Sequence, residues 1–150
     1  MSLSKIFNAN VISHDSRKKI VTNKNKLILL SGPSCCGKTT LCKQFEEHFN
    51  KNGKKQIVVL SMDRYYKNLD PSSNYDDPSA IEFDLLVDDV IKLINNLQIS
   101  APIYNFESHS RDPQNTTIID PAKIIILEGT LVHCDKRLDD LASRTMMIKC

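Results

Sequence analysis

The sequence predicts an α/β fold in which helices flank a parallel sheet. Three short apolar runs, typical of strands buried on both faces, occur at Lys26–Ser31, 56–61 and 123–127. The first run leads directly into a glycine-containing loop, which is followed by a helical apolar stripe. This order is typical of parallel α/β units, and we expect one domain over residues 25–150.

The loop after the first strand carries a nucleotide-binding pattern. Residues 32–39 read GPSCCGKT and fit G-x-x-x-x-G-K-[ST], in which backbone N–H groups surround the phosphates of ATP or GTP. In this pattern the lysine, Lys38, contacts the β- and γ-phosphates, and the hydroxyl of Thr39 binds Mg²⁺. The predicted nucleotide site comprises Gly32, Pro33, Ser34, Cys35, Cys36, Gly37, Lys38, Thr39 and Thr40.

Helices are predicted from apolar periodicity and capping signals. Leu41, Phe45 and Phe49 recur every four residues, and the stripe is expected to end at Gly53. A second helix is predicted to open at residues 77–79, with a capping box at residues 79 and 82. Its apolar face comprises Leu86, Val90, Leu93, Ile94 and Leu97.

The rest of the chain is predicted to add a hairpin, a short helix and a fourth strand. Residues 99–120 read as a hairpin-like excursion. Leu138 and Leu141 indicate the short helix, and residues 145–148 begin the strand. Residues 1–24 are polar with little periodicity and are interpreted as a loose N-terminal extension.

Acidic residues follow two of the predicted strands. Asp63 comes after the second run, and Glu128 follows the apolar residues of the third. Ligands of open α/β sheets lie beyond the carboxyl ends of the strands, where an acidic side chain can hold Mg²⁺. We therefore predict Glu128 as a metal ligand, whereas Asp63 read alone also fits a helix cap.

Composition limits the classes of partner. The formal net charge is +2, and the basic residues are scattered without interleaved aromatics, so no nucleic-acid partner is expected. No apolar run approaches the roughly 20 residues of a membrane span, and no signal peptide is evident, so we expect a cytoplasmic protein without a membrane partner. The five cysteines lack metal-ligand spacing and are expected to be free thiols.

From about Leu27 onward the chain resembles the uridine–cytidine kinases, segment after segment. Residues 63–66 (DRYY) are similar to the family's Asp-Ser-Phe-Tyr, and residues 74–78 (NYDDP) to its Asn-Phe-Asp-His-Pro. Residues 102–111 (PIYNFESHSR) resemble Pro-x-Tyr-Asp-Phe-x-x-His-x-Arg, and residues 128–131 (EGTL) resemble Glu-Gly-Ile-Leu.

The resemblance implies a phosphate-loop nucleoside-kinase fold with a pyrimidine-nucleoside site. It implies that Asp63 lies near Mg²⁺ and accepts a proton from the 5′-hydroxyl, and that Asp76 holds the ribose hydroxyls. Tyr104 and His109 would contact the pyrimidine, and Tyr66 would line the pocket. The implied activity is ATP-dependent conversion of uridine and cytidine to UMP and CMP, with possible self-association.

The chain also departs from the family pattern. Family members are expected to continue past the position of Cys150 into an arginine-bearing lid and a last strand, and Arg64 and Asp77 replace Ser and His. Two alternatives therefore stay open. One is a non-catalytic nucleotide- or nucleoside-binding module, and the other is a kinase for another small alcohol such as nicotinamide riboside.

Overall fold

The computed structural model describes residues 25–149, so the predicted N-terminal extension and Cys150 lie outside the described residues. In chain order the helices and strands are β1 (Lys26–Ser31), α1 (Lys38–Phe49), β2 (Ile57–Ser61), α2 (Phe83–Ile94), β3 (Ile99–Asn105), β4 (Ser110–Ile119), β5 (Ile124–Glu128), α3 (Lys136–Leu141) and β6 (Arg144–Met147). The main sheet is parallel and has the order β2-β5-β1-β6. The predicted α/β class is therefore confirmed.

The two faces of the sheet bury alternate residues of each strand. Leu27 and Leu29 of β1 face a core that includes the apolar side of α2. Ile28 and Leu30 face the opposite core, which Cys42 of α1 joins. Because both faces are covered by apolar side chains, the strands read as continuous apolar runs in the sequence.

The register of the sheet brings the site-bearing segments to one edge. Leu30 of β1 and Ser61 of β2 both lie opposite Glu128 of β5. All three strands run in the same direction, so the loop after β1 and the segments after β2 and β5 leave the sheet together. This edge carries the candidate site.

The predicted hairpin is present as an antiparallel pair, β3–β4, outside the main sheet. Ile99 lies opposite Ile119, and Tyr104 lies opposite Arg111, with an irregularity between Pro102 and Tyr104. The hairpin packs against the 3₁₀ turn Met62–Tyr65 and against α2. It therefore stands beside Asp63, at the edge where β2 ends.

The predicted start of the second helix is wrong. Asp77 caps a separate 3₁₀ turn, Pro78–Ala80, by accepting a hydrogen bond from the Ser79 N–H at 2.8 Å. Ile81 is extended and bridges Tyr66, so the helix cannot begin until Phe83. The carboxylate of Glu82 binds Arg111 rather than closing a capping box. At the other end α2 stops at Ile94, which leaves Leu97 exposed and off the apolar face.

The predicted end of the first helix is also wrong, because α1 ends at Phe49 rather than near Gly53. The side chain of Asn50 binds the start of β2: its amide donates to the Ile57 carbonyl at 2.9 Å and accepts from the Gln56 N–H at 2.8 Å. A short 3₁₀ turn, Lys51–Gly53, follows. Bonding to the neighbouring strand thus ends the helix earlier than its apolar stripe suggests.

Residues 25–149 include neither a membrane-spanning helix nor a disulfide bond. No helix in this part of the chain is long and apolar enough to cross a membrane. The four cysteines described there, Cys35, Cys36, Cys42 and Cys134, are free thiols.

Candidate active site

A cleft of about 360 Å³ opens at the carboxyl edge of the sheet. It is bounded by the phosphate loop, by the ends of β2 and β5, by the segment that precedes α2, and by the hairpin tip. Its lining residues are Ser34, Cys35, Lys38, Thr39, Asp63, Tyr66, Tyr75, Asp76, Phe106, His109, Glu128, Gly129 and Thr130. Most of the residues predicted for catalysis, metal and nucleoside are therefore in one cavity.

The lysine of the phosphate loop, residues 32–39, is folded onto the loop itself. The ammonium of Lys38 donates to the carbonyl oxygens of Gly32 at 2.9 Å and Pro33 at 2.7 Å, and the residue is only 8% exposed. Cys35 holds a left-handed backbone with φ of 60°, which costs a non-glycine residue about 1 kcal/mol. The hydrogen bonds of Lys38 thus stabilise a strained loop at the N-terminus of α1.

The predicted loop residues differ in how they relate to the cleft. Four of them line it: Ser34, Cys35, Lys38 and Thr39. The other five, Gly32, Pro33, Cys36, Gly37 and Thr40, are outside the lining. Gly32 and Pro33 supply the carbonyls that bind Lys38, so they shape the loop through its backbone.

Two carboxylates and one ammonium set the electrostatics of the cleft. Burial raises the pKa of Glu128, which is 4% exposed, although a hydrogen bond from Ser61 opposes that rise. Desolvation also raises the pKa of Asp63, and the Lys38 charge lowers it. The negative charge of Asp63 raises the pKa of Glu128 further. The two carboxylates therefore share an excess of negative charge that a bound cation would relieve.

The donor set suits Mg²⁺ held together with phosphates. Thr39, Asp63 and Glu128 line the same cleft and offer oxygen ligands. Within residues 25–149 there is no group of three or more His, Cys, Asp or Glu side chains arranged to hold a metal by itself. Mg²⁺ usually binds one or two carboxylates plus waters and substrate phosphates, so this sparse set fits it.

The hairpin end of the cleft is aromatic. Tyr66, Tyr75, Tyr104 and Phe106 form an aromatic cluster whose ring centroids lie 4.9–6.4 Å apart. The Tyr66 hydroxyl donates to the Tyr75 carbonyl at 3.1 Å, which fixes the ring of Tyr66 against this segment. Tyr104 belongs to the cluster but is not among the residues that line the cleft. The cluster forms an aromatic wall whose rings are tilted by 44–74° to one another.

Asp76 and His109 add polarity to this wall. The Asp76 carboxylate makes no hydrogen bond within residues 25–149, although its backbone N–H binds Asn74. It is therefore a free acceptor facing the cleft. His109 has φ of 51°, and its Nδ1 is hydrogen-bonded to the Tyr75 hydroxyl.

A profile of the Phosphoribulokinase / Uridine kinase family matches residues 27–148. The chain belongs to this family. It is 40% identical over 124 residues to "Uridine-cytidine kinase A" of Dictyostelium discoideum, covering 79% of this chain and 24% of the relative. It is 35% identical over 134 residues to "Uridine kinase" of Vibrio campbellii, covering 84% of this chain and 62% of the relative. The chain thus spans less than two thirds of the length of either relative.

Solved structures support the fold of this uridine kinase family member. "Structure of a Possible Uridine Kinase from Bacillus stearothermophilus" matches with a TM-score of 0.69 at 17% identity, covering 98% of this chain and 77% of that one. A putative fructose transport system kinase from Silicibacter sp. TM1040 also reaches 0.69, at 18% identity, covering 87% and 68%. At such identity the likeness establishes the phosphate-loop kinase fold.

Two arginines that sequence reasoning did not select join the hairpin to the base of the cleft. Arg111 donates from Nε to the Tyr66 carbonyl at 2.7 Å and from Nη2 to the Tyr65 carbonyl at 2.8 Å. It also pairs with Glu82. Arg64 donates to the Pro102 carbonyl at 3.1 Å. These bonds fix the backbone that carries Asp63 relative to the hairpin, and the family-like motif around Arg111 was the signal for them.

Tyr75 and Phe106 were also missed as site residues. Both lie in motifs that resemble the family's, next to Asp76 and near His109. The sequence analysis gave neither ring a role, and the structure shows that both line the cleft.

Proposed function

We propose that this chain carries the active site of a kinase that transfers the γ-phosphoryl group of ATP to the 5′-hydroxyl of uridine and cytidine. The single observation that carries the proposal is the joint lining of one cleft. Lys38 and Thr39 of a phosphate loop line it together with Asp63, Asp76 and His109. A site for phosphates and a site with nucleoside-binding chemistry are thus continuous, as a direct phosphoryl transfer requires.

Asp63 is proposed as the general base. Its carboxylate accepts the proton of the 5′-hydroxyl while the 5′-oxygen forms a bond to the γ-phosphorus. The bond between the γ-phosphorus and the β,γ-bridging oxygen breaks, and ADP leaves with that electron pair. Desolvation raises the pKa of Asp63, which makes its carboxylate a better proton acceptor than an ordinary exposed aspartate.

Lys38 and a metal ion held by the proposed ligands would neutralise the charge on the phosphates of ATP. Transfer of a phosphoryl group depends mainly on positioning and on stabilising charge at the phosphate oxygens. Lys38 supplies an ammonium for the β- and γ-phosphates once its bonds to the loop carbonyls are exchanged. Thr39, Glu128 and Asp63 would hold Mg²⁺, which supplies further neutralisation of the phosphate charge when bound.

The nucleoside end of the cleft suits a ribonucleoside. The free carboxylate of Asp76 can accept hydrogen bonds from both hydroxyls of a ribose cis-diol. The aromatic cluster offers faces against which a planar base can stack, and His109 offers a polar ring nitrogen. The names of the relatives, uridine kinase and uridine-cytidine kinase, agree with a pyrimidine nucleoside.

The proposal is tested by incubating the purified chain with MgATP and uridine or cytidine and measuring UMP and CMP by chromatography. We expect product from the wild type, and none above background from Lys38→Ala or Asp63→Asn. Asp88→Asn is the matched control, because Asp88 is exposed on α2 away from the cleft.

Binding measurements separate the alternatives. Calorimetry with each nucleoside is expected to show that Asp63→Asn still binds. Folded wild type that binds nucleoside but gives no product would favour the non-catalytic binding module. Phosphorylation of nicotinamide riboside in preference to both pyrimidine nucleosides would favour a kinase for another small alcohol.

A further inference from the structure

Two cysteines stand next to each other in the phosphate loop, and the proposed reaction uses neither thiol. Cys35 is exposed and lines the cleft together with Lys38 and Thr39. Its left-handed backbone angle is one that glycine would adopt without strain. A nucleophilic side chain therefore occupies, at an energetic cost, a position in the lining of the proposed ATP site.

Burial and position distinguish Cys35 from the cysteines outside the loop. Cys42 is only 2% exposed, and burial raises the pKa of its thiol to about 12, so it is expected to be inert. Cys134 is exposed but does not line the cleft. Within residues 25–149, Cys35 is thus the one cysteine that is both exposed and part of the cleft lining.

Positive charge surrounds the two loop cysteines. The Lys38 ammonium lies 3.9 Å from the sulfur of Cys36, and the N-terminus of α1 follows the loop directly. Exchange between a thiol and a disulfide proceeds by attack of the thiolate, and a neighbouring cation or helix N-terminus favours that attack. The loop therefore provides the kind of surroundings in which reactive cysteines are found.

A disulfide between the two loop cysteines is disfavoured. Cys35 and Cys36 are consecutive, so their Cα atoms lie about 3.8 Å apart, whereas disulfides usually join Cα atoms roughly 4.4–6.8 Å apart. The sulfur of Cys36 is also packed against the loop, since a Cβ atom added to Gly32 would lie 2.9 Å from it. Oxidation at Cys35 is therefore expected to attach a separate molecule rather than to join the two neighbours.

We propose that Cys35 is a modification site at which a small-molecule disulfide forms a mixed disulfide that blocks ATP binding. This inference rests on the proposed function and adds a means of regulating the same site. The adduct occupies the part of the cleft that Lys38 and Thr39 line, where the phosphates of ATP are proposed to bind.

The exchange is balanced without a further oxidant. The sulfur of Cys35 attacks one sulfur of the small disulfide, and a new S–S bond forms while the S–S bond of the reagent breaks. The departing sulfur keeps the electron pair and takes up the proton that Cys35 loses, so each adduct releases one small thiol. An excess of external thiol drives the same exchange backward and frees Cys35.

The test treats the purified, reduced chain with glutathione disulfide, removes the excess reagent and measures MgATP binding by calorimetry. Peptide mass spectrometry locates the adducts. In the wild type we expect an adduct at Cys35 and a loss of roughly tenfold or more in ATP affinity, the usual cost of losing about one hydrogen bond to a charged group. Dithiothreitol is expected to restore the affinity.

Each variant is compared with itself before and after treatment. In Cys35→Ser the ATP affinity is expected to be the same before and after. Cys134→Ser is the matched control and should lose affinity as the wild type does, because Cys134 is exposed but outside the cleft lining. MgATP added before the reagent should slow modification of Cys35 and leave modification of Cys134 unchanged.

Three results would overturn the role of Cys35 while leaving the proposed kinase intact. The first is an unchanged ATP affinity in wild type that carries the adduct at Cys35, and the second is an undiminished loss of affinity in treated Cys35→Ser. The third is the absence of an adduct at Cys35 under conditions that modify Cys134. Failure of the reduced, folded wild type to bind MgATP would instead overturn the proposed function, because that measurement involves no disulfide, and this inference would fall with it.

Discussion

A Cβ atom on Gly129 would lie 2.7 Å from the Cβ of Met62 and 3.0 Å from its Sδ. Met62 immediately precedes Asp63, and Gly129 immediately follows Glu128. The absence of a side chain at Gly129 therefore lets the ends of β2 and β5 approach closely enough for the two carboxylates to share one cleft. Gly129 is required here because a side chain would collide with Met62, and not because of an unusual backbone angle.

Gly129→Ala is expected to lower the free energy of unfolding by about 1–3 kcal/mol, because the added methyl forces two backbone segments apart. It should also weaken ATP binding, since the two carboxylates proposed to hold the metal separate. Urea unfolding and calorimetry measure the two effects. Gly53→Ala is the control for ATP affinity: its φ of 71° strains an alanine, so stability is expected to fall there too, but Gly53 does not line the cleft and the affinity is expected to stay unchanged. An alanine variant at position 129 with wild-type stability and affinity would refute the close-approach argument.

Glu128→Gln is expected to stabilise the protein in the absence of ligand. Burial raises the folded-state pKa of Glu128, so its contribution to stability is present below the unfolded pKa and is lost as pH rises through the folded pKa. At neutral pH the neutral amide should therefore raise the free energy of unfolding and the Tm. Thermal melts should show this advantage shrinking as pH falls toward 4.5. A variant that is less stable than wild type at pH 7 would contradict the prediction.

Lys38→Met is expected to raise the pKa of both Asp63 and Glu128, because the Lys38 ammonium lowers each of them. Carboxyl ¹³C shifts followed through a pH titration measure the change directly and need no turnover. Lys43→Met provides the comparison, since Lys43 is exposed on α1 and influences neither carboxylate. Unmoved titrations in Lys38→Met would mean that the ammonium does not act on this pair.

Arg111→Lys is expected to loosen the hairpin. Lysine keeps the charge that pairs with Glu82 but cannot reproduce the planar fork that binds two carbonyls at once. We expect the free energy of unfolding to fall by about 2 kcal/mol. The affinity for nucleoside should fall several-fold, and the affinity for ATP should fall less. Unfolding curves and calorimetry with each ligand measure this difference. Arg144→Lys serves as the control because Arg144 is exposed and, within residues 25–149, its guanidinium donates only to the neighbouring Ser143 carbonyl.

The strands of the main sheet were predicted to within a residue or so from local pattern alone. Burial on both faces makes β1, β2 and β5 continuous apolar runs, so their signal lies entirely within the strand. The sequence signals for the phosphate loop and for the acidic residues at the strand ends were also confined to short segments. Because the strands are parallel, these segments meet at one edge of the sheet. Those features account for the end of the cleft that is proposed to hold the phosphates and the metal.

The features that sequence reasoning missed depend on contacts between distant segments. Glu82 was interpreted as a capping residue, but Arg111 binds it from the hairpin. Likewise, the sequence alone does not show that Tyr75 lies beside His109. Side-chain partners of this kind are set by tertiary packing, which a single sequence does not display.

The order of strands in the sheet has a kinetic consequence. The central strand β1 pairs only with β5 and β6, so Lys26 finds its partner Ile124 almost a full domain length away. Closing so large a loop is slow, and proteins whose contacts are mostly non-local generally fold slowly. The two carboxylates and the phosphate loop are therefore expected to meet only as β5 inserts. Nucleotide-binding competence should then appear during refolding in the same phase as the sheet itself.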